Sequence, residues 1–205
     1  MDLKTGLVAA TALIGATAIW AQQAAQLPGY AGVAGVIDAA RYLPQPPASG
    51  SLAEKADREA LVAVRTRNDP VAWKNALAEL NLRGPESRAR MMCAIDAKLT
   101  PENAPNFYKL LARSGADLSA ASDQSKLVWQ RPRPFVADPS ITTCYPADVI
   151  KYGIGHSYPS GHSGIGWLWG MILGEIAPDR AGEALAWGTS VGDNRIACRC
   201  ISPAM

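Results

Sequence analysis

The chain has 205 residues, of which 48% are hydrophobic, so it can bury a core and is predicted to form one folded domain rather than a disordered segment. Its 20 basic and 18 acidic residues leave a formal net charge of +2 and are spread along the sequence. This distribution excludes a long basic stripe of the kind that binds nucleic acid or an anionic membrane, so any cationic site must be local.

Residues 1–21 carry the pattern of a secretory signal peptide. Lys4 precedes an apolar run from Leu7 to Trp20, and Ala21 supplies a small residue for cleavage. The alternative is an uncleaved membrane anchor, although this run is short for a span that needs ~20 apolar residues. Because no later segment is long and apolar enough to cross a bilayer, we expect an exported protein, periplasmic or secreted, with no stable membrane span after processing.

The segment 22–50 is rich in proline and glycine. Such a composition favours an extended N-terminal arm that crosses the surface, with a flexible linker as the alternative. The domain itself is predicted to occupy residues 51–205.

Within 51–205 the hydrophobic pattern is helical. Ser51, Asp69 and Thr100 are the cap residues of three predicted helices, and the last two are each followed by a proline, which favours the first helical position. The helix that starts near Thr100 must end before Pro132. No alternating strand pattern extends beyond a few residues, so the fold class is predicted to be all-α.

The four cysteines permit disulfides in an exported chain. Four cysteines allow three pairings, and the spacing alone leaves the pairing open. The spacing also has no metal-site pattern, and we predict no metal and no cofactor. The cysteines are Cys93, Cys144, Cys198 and Cys200.

A first basic cluster lies in "KLVWQRPRPF". Lys126 ends a helical pattern, and Arg133 lies between Pro132 and Pro134 in a piece of chain that the prolines keep extended. The planar fork of Arg133 and the compact charge of Lys126 are suited to the oxygens of a phosphate group. The alternative is a solvated basic turn.

A second cluster lies in "SYPSGHSGIGWLWG", where Ser160, Gly161 and His162 precede an apolar helical run. Backbone N–H groups at the start of a helix form an anion site. The Ser160 hydroxyl can donate as well, and His162 could protonate a leaving oxygen. The alternative is a serine N-cap with a surface histidine. His156 is interpreted as a loop residue, with contact to a substrate as the alternative.

These pieces together resemble the three-part signature of the type 2 phosphatidic acid phosphatase superfamily. The signature is Lys126, six residues, Arg133-Pro134, then the "PSGH" that contains Ser160, and then Arg195. More closely, the chain resembles a bacterial class A non-specific acid phosphatase. "RYLPQPPASGS", "RPRPF", "CYP", "SYPSGH" and "GEIAP" follow one another in the expected order.

The resemblance implies a helical bundle related to vanadium haloperoxidases, small phosphomonoesters as substrates and a possible homo-oligomer. In this family a histidine of the third motif attacks phosphorus, and the histidine of the second motif protonates the leaving alcohol, so His162 would be the general acid. No metal is needed. The residues that would hold the phosphate oxygens are Lys126, Arg133, Ser160, Gly161 and Arg195.

The third motif of the family is Ser-Arg, five residues, His, three residues, Asp. Counted from Arg195, this places the nucleophile at Ile201 and its aspartate at Met205, so both are missing here. Isoleucine cannot attack phosphorus. We therefore expect weak phosphate binding and impaired turnover, with a vanadate-dependent haloperoxidase-like enzyme or a non-catalytic phosphate-binding protein as the alternatives.

The genetic code offers an explanation for this tail. One base restored just before the codon of Cys200 permits the reading Val-His-Phe-Pro-Ser-Asp, with a histidine at position 201 and an aspartate at position 205. The hypothesis is a frameshift that leaves the helical domain incomplete at its C-terminus. Cys144 and Cys198 are then the expected disulfide pair, and Cys200 is a by-product of the shifted frame.

Overall fold

The computed structural model describes most of the chain beyond the predicted signal peptide, which lies outside the described residues. In the described part the secondary structure is helical and no strand occurs, which confirms the all-α fold class. None of its helices combines the length and the apolar character that a membrane span requires. The described residues are 27–32, 35–65, 69–145 and 156–203.

The α-helices are α1 (Leu52–Arg65), α2 (Pro70–Ala78), α3 (Pro85–Ala94), α4 (Pro105–Trp129), α5 (Pro134–Ala137), α6 (Gly161–Ile176) and α7 (Ala181–Ala197). Short 3-10 turns occur at Ala39–Arg41, Glu79–Asn81 and Pro178–Arg180. After Ala78, α2 continues directly into the 3-10 turn Glu79–Asn81.

Two of the predicted helix caps are confirmed. The Ser51 hydroxyl accepts the N–H of Glu54 at 3.1 Å at the start of α1. At the start of α2, the Asp69 carboxylate accepts the N–H of Val71 at 2.9 Å, and Pro70 occupies the first helical position. These contacts satisfy N–H groups that have no partner within the helix.

The expectation that Thr100 caps the long helix is wrong. Thr100 and Asn103 instead form a separate turn, in which each side chain accepts the backbone N–H of the other residue, at 2.7 and 3.3 Å. Pro105 has no N–H to continue this turn, so the chain starts a new helix there and α4 begins at Pro105. α4 ends at Trp129, before Pro132, as predicted.

The described part of the N-terminal arm is fastened to α4. The Asp117 carboxylate accepts the N–H groups of Tyr30 and Ala31 at 2.8 and 3.1 Å, and Arg113 donates to the Pro28 carbonyl at 3.0 Å. Apart from one 3-10 turn, the arm between residues 35 and 50 is irregular. These contacts hold the arm against the side of α4.

The core is centred on α6 and α7, which a short connection joins as an antiparallel pair. Trp169 and Leu173 of α6 are buried against Val191 of α7. Glycines allow the two backbones to approach closely: a methyl group added at Gly188 would lie 2.5 Å from the carbonyl oxygen of Gly166. The start of α6 consequently lies beside the end of α7.

A disulfide joins Cys144 to Cys198, as expected. It ties the segment after α5 to the end of α7, where Ile201 packs in a second apolar cluster with Phe135. The free thiol of Cys200 is buried next to this disulfide, and its sulfur lies 2.6 Å from that of Cys198. The described segment from Cys198 to Ile201 is thereby held against the segment after α5.

Replacing Gly188 with alanine should destabilise the fold by about 1 to 3 kcal/mol, because the new methyl group meets backbone that cannot move aside. Chemical denaturation with circular dichroism measures this change. Gly182→Ala is the matched control in the first turn of the same helix, where a methyl group meets no atom within 4 Å. Equal free energies of unfolding for Gly188→Ala and the parent chain would contradict the close packing of α6 on α7.

Candidate functional site

A cavity of about 200 Å³ lies between α4, the start of α6 and the end of α7. It is lined by every site residue that the sequence predicted: Lys126, Arg133, Ser160, Gly161, His162 and Arg195. The cavity also contains Ile201, the position that the motif spacing assigns to the nucleophile, and residues that sequence reasoning did not select: Ser119, Asp123, Tyr145, Ser157 and Ile165. The fold thus brings residues from distant positions of the chain into one place.

Arg195 is the most deeply buried cation of this cavity, with 1% of its surface exposed. Its Nη2 donates to the Ala76 carbonyl of α2 and lies 3.6 Å from a Glu79 carboxylate oxygen. The other two nitrogens, Nε and Nη1, have no hydrogen-bond partner among the described residues. Because buried donors are rarely left unpaired, the N–H groups of these two nitrogens are suited to a ligand oxyanion.

The Glu79 carboxylate supplies the negative charge that balances the buried Arg195. Its side chain is fully buried, forms an ion pair with Arg90 and accepts two hydrogen bonds from Nδ2 of Asn194, at 3.1 and 3.0 Å. Burial raises the pKa of Glu79, while the Asn194 hydrogen bond and the charges of Arg90 and Arg195 oppose this shift. The helical pattern of the sequence contains no signal for this long-range cluster.

Arg133 and Lys126 approach the cavity from the chain around the end of α4. Arg133 has the extended backbone that its two flanking prolines favour, and its Nη1 donates to the Cys200 carbonyl at 2.8 Å. The Lys126 ammonium lies 2.9 Å from Asp123 and 3.8 Å from the point where a Cβ of Gly161 would lie. Both cations therefore border the start of α6.

Ser160 is the N-cap of α6. Its hydroxyl oxygen accepts the N–H of Ser163 at 3.2 Å and the Ser163 hydroxyl at 2.9 Å, so its own proton can point to a ligand. α6 starts at Gly161, which places the first N–H groups of the helix at the cavity. The serine is thus a cap and also a lining residue of the cavity, and the two interpretations of this segment are compatible.

His162 is half-buried in the cavity and is not a surface residue. Burial and the nearby charges of Arg195, Arg133 and Lys126 lower the pKa of its imidazole to about 4, although a hydrogen bond with the Leu80 backbone favours the protonated form. The imidazole is therefore neutral above this pH. An anion that neutralised the three cations would raise the pKa again.

Position 201 lies in the cavity wall, where the motif spacing places the nucleophile. Its occupant here is Ile201, which is 2% exposed and offers no nucleophilic atom. Position 205 lies outside the described residues. His156 is half-buried and is not one of the cavity residues, in agreement with its interpretation as a loop residue.

Tyr145 is an aromatic wall of the cavity. Its ring centroid lies 5.7 Å from the Arg133 guanidinium, and burial raises the pKa of its hydroxyl. The sequence contained one signal for it, since Tyr145 follows Cys144 in the "CYP" segment and the disulfide fixes its position.

Comparison with known proteins agrees with this geometry. Residues 110–200 match the model of the PAP2 superfamily. The chain is 33% identical over 161 residues to the non-specific acid phosphatase of Salmonella typhimurium, an alignment that covers 77% of this chain and 63% of that protein. It is 32% identical over 157 residues to the acid phosphatase of Zymomonas mobilis, an alignment that covers 77% of this chain and 59% of that protein. A non-specific acid phosphatase of Providencia stuartii is 30% identical over 165 residues, which are 79% of this chain and 65% of that protein.

Residues 110–200 thus form a PAP2 superfamily domain, and the chain is similar, over most of its own length, to bacterial non-specific acid phosphatases. The resemblance inferred from the motif spacing is thereby confirmed. The chain spans about three-fifths of the length of the curated relatives it matches.

The lowered pKa of His162 predicts acid-sensitive stability. The His162 imidazole takes up a proton near pH 6.5 in the unfolded chain but only near pH 4 in the folded chain. The contribution of the neutral imidazole to the free energy of unfolding is therefore complete above pH 6.5 and is lost as the pH falls from 6.5 to 4. The loss should be roughly 2 to 3 kcal/mol. His162→Gln should remove it, as measured by urea unfolding of both proteins between neutral and acidic pH.

Nuclear magnetic resonance titration of the imidazole protons measures the same pKa directly, and His162→Gln assigns the signal. An ordinary pKa for His162, together with parallel pH profiles of the two proteins, would contradict this account of the cavity.

Proposed function

We propose that this protein is an acid phosphatase by family, whose cavity binds the phosphate group of small phosphomonoesters. The observation that carries the proposal is one small cavity that gathers Lys126, Arg133, Arg195, the start of α6 and His162. The names of the relatives support the same reaction class.

Phosphoryl transfer depends mainly on positioning and on neutralisation of charge. Arg195 lines the cavity and has two nitrogens without a partner among the described residues, so it can donate to phosphate oxygens, and Lys126 and Arg133 supply two more positive charges. The N–H groups at the start of α6 and the Ser160 hydroxyl add donors that are already oriented before the substrate binds. No metal is needed for this mode of binding.

In this proposal His162 acts as the general acid. It is neutral in the free protein, and the bound phosphate raises its pKa because the anion offsets the charges of Arg195, Arg133 and Lys126. The protonated imidazole can then transfer its proton to the leaving alkoxide oxygen as the P–O bond breaks.

The nucleophile is the missing component. In the complete mechanism a histidine at position 201 attacks phosphorus, the P–O bond to the leaving group breaks, and water later hydrolyses the P–N bond to release phosphate. Ile201 cannot do this, and we propose that a shifted reading frame accounts for residues 200–205. Resequencing the locus tests this hypothesis, because a genuine Cys-Ile-Ser-Pro-Ala-Met reading with no family-like sequence in the shifted frame would refute it.

A second candidate function is non-catalytic binding of phosphate, and the observation that favours it is Ile201 itself.

We also propose export to the periplasm or the medium, supported by the apolar run before Ala21. Cell fractionation after expression from the native start codon tests this localisation.

The central experiment compares the chain as given with a frame-restored chain that includes Ile201→His and Met205→Asp. At mildly acidic pH, the restored chain should hydrolyse an aryl phosphate at least ~10³-fold faster than the chain as given, because the restored chain has a nucleophile. Release of the aryl alcohol is followed by absorbance. Bromide oxidation with vanadate and peroxide is measured beside it to separate haloperoxidase activity.

Two matched variants complete this design. In the restored background, Lys126→Ala should weaken hydrolysis through loss of a phosphate contact, and Ile201→Ala in place of Ile201→His should abolish it. A restored chain that binds phosphate but hydrolyses no phosphomonoester would favour the non-catalytic function.

A further inference from the structure

We propose that Glu79 is a positioning residue of the phosphate site, which fixes the orientation of the Arg195 guanidinium in the cavity wall. This inference rests on the proposed function, since it assumes that the cavity binds phosphate. Glu79 does not line the cavity and would not touch the substrate.

Glu79 lies beside one nitrogen of the Arg195 guanidinium. Nη2 contacts the Ala76 carbonyl of α2 and lies 3.6 Å from a Glu79 carboxylate oxygen. Nε and Nη1 have no partner among the residues that the structure describes. A rotation of the guanidinium would break the contacts of Nη2, so these contacts determine how the side chain is oriented in the cavity wall.

Glu79 also holds the residue that precedes Arg195. Nδ2 of Asn194 donates to both Glu79 oxygens, at 3.1 and 3.0 Å, and Asn194 is 5% exposed. Consecutive residues of a helix point in directions about 100° apart. One carboxylate that contacts both Asn194 and Arg195 therefore restricts the rotation of the last turn of α7 about its axis.

A third contact, the ion pair with Arg90, holds the Glu79 carboxylate in place. Arg90 of α3 forms an ion pair with Glu79 and also approaches the Ser190 hydroxyl of α7 at 3.4 Å. Glu79 thus connects the turn after α2 with α3 and α7. Its side chain is fully buried, so a shift of the carboxylate would leave charge without a partner.

Charge and geometry predict opposite effects of Glu79 on phosphate. A carboxylate near an anion site weakens anion binding by Coulomb repulsion alone. A carboxylate that orients Arg195 strengthens binding, because an arginine side chain that is already ordered loses less rotamer entropy when it forms its hydrogen bonds. Glu79→Gln removes the charge and nearly keeps the shape of the side chain. Weaker phosphate binding by this variant would therefore indicate that Glu79 orients Arg195, and tighter binding would indicate that repulsion dominates.

The test is the affinity for inorganic phosphate, measured by phosphorus NMR line widths at about pH 8 on the full chain and on Glu79→Gln. If Glu79 positions Arg195, the variant should bind phosphate about tenfold more weakly, as is typical when a supporting residue behind a binding side chain is lost. Equal or tighter binding by Glu79→Gln would overturn the inference.

Double-mutant cycles show whether Glu79 acts through Arg195. The effect of Glu79→Gln on phosphate affinity should become much smaller in an Arg195→Lys background. It should add fully to the effect of Lys126→Ala, because Lys126 and Glu79 occupy separate contact clusters. Full additivity with Arg195→Lys would contradict a positioning role.

Arg90→Gln tests the contact that holds the Glu79 carboxylate on the side away from the cavity. It should lower the melting temperature and weaken phosphate binding less than Glu79→Gln does, because Asn194 still donates to both Glu79 oxygens in that variant. If Glu79→Gln fails to fold, Glu79→Asp keeps the charge and shortens the reach, and unchanged affinity in that variant would overturn the inference. Absence of phosphate binding by the parent chain would refute the proposed function itself.

Discussion

The contact between α6 and α7 is the constraint on which the rest of the structure depends. Glycines at this contact let the two backbones approach closely, and the short antiparallel connection places the start of α6 beside the end of α7. The N–H groups before His162 and the side chain of Arg195 consequently border the same small cavity. A wider separation of these helices would leave two unrelated helix ends.

The charges of the cavity follow from what lies behind it. Glu79 balances the buried Arg195 from the side of α2, while Nε and Nη1 of Arg195 have no partner among the described residues. Burial, together with the accumulated positive charge, lowers the pKa of the His162 imidazole to about 4, so the imidazole is neutral above this pH. An anion that neutralised these charges would raise the pKa again.

The sequence predicted those parts of the site that are encoded by local chemistry. Prolines predicted the extended chain at Arg133, and the cap pattern at Ser160 predicted the helix start that carries His162. Glu79 was missed because its role depends on a partner more than a hundred positions away, at Asn194 and beyond. The start of α4 was misplaced because the Thr100 turn has the same local pattern as a helix cap.

The most direct test of the account is a crystal structure of the chain with tungstate, an oxyanion that resembles phosphate and is easily located by its scattering. The account predicts one tungstate in the cavity, with oxygens within hydrogen-bond distance of the Arg195 guanidinium and of the first N–H groups of α6. An empty cavity at saturating tungstate, or an ion bound only at other places on the surface, would contradict it.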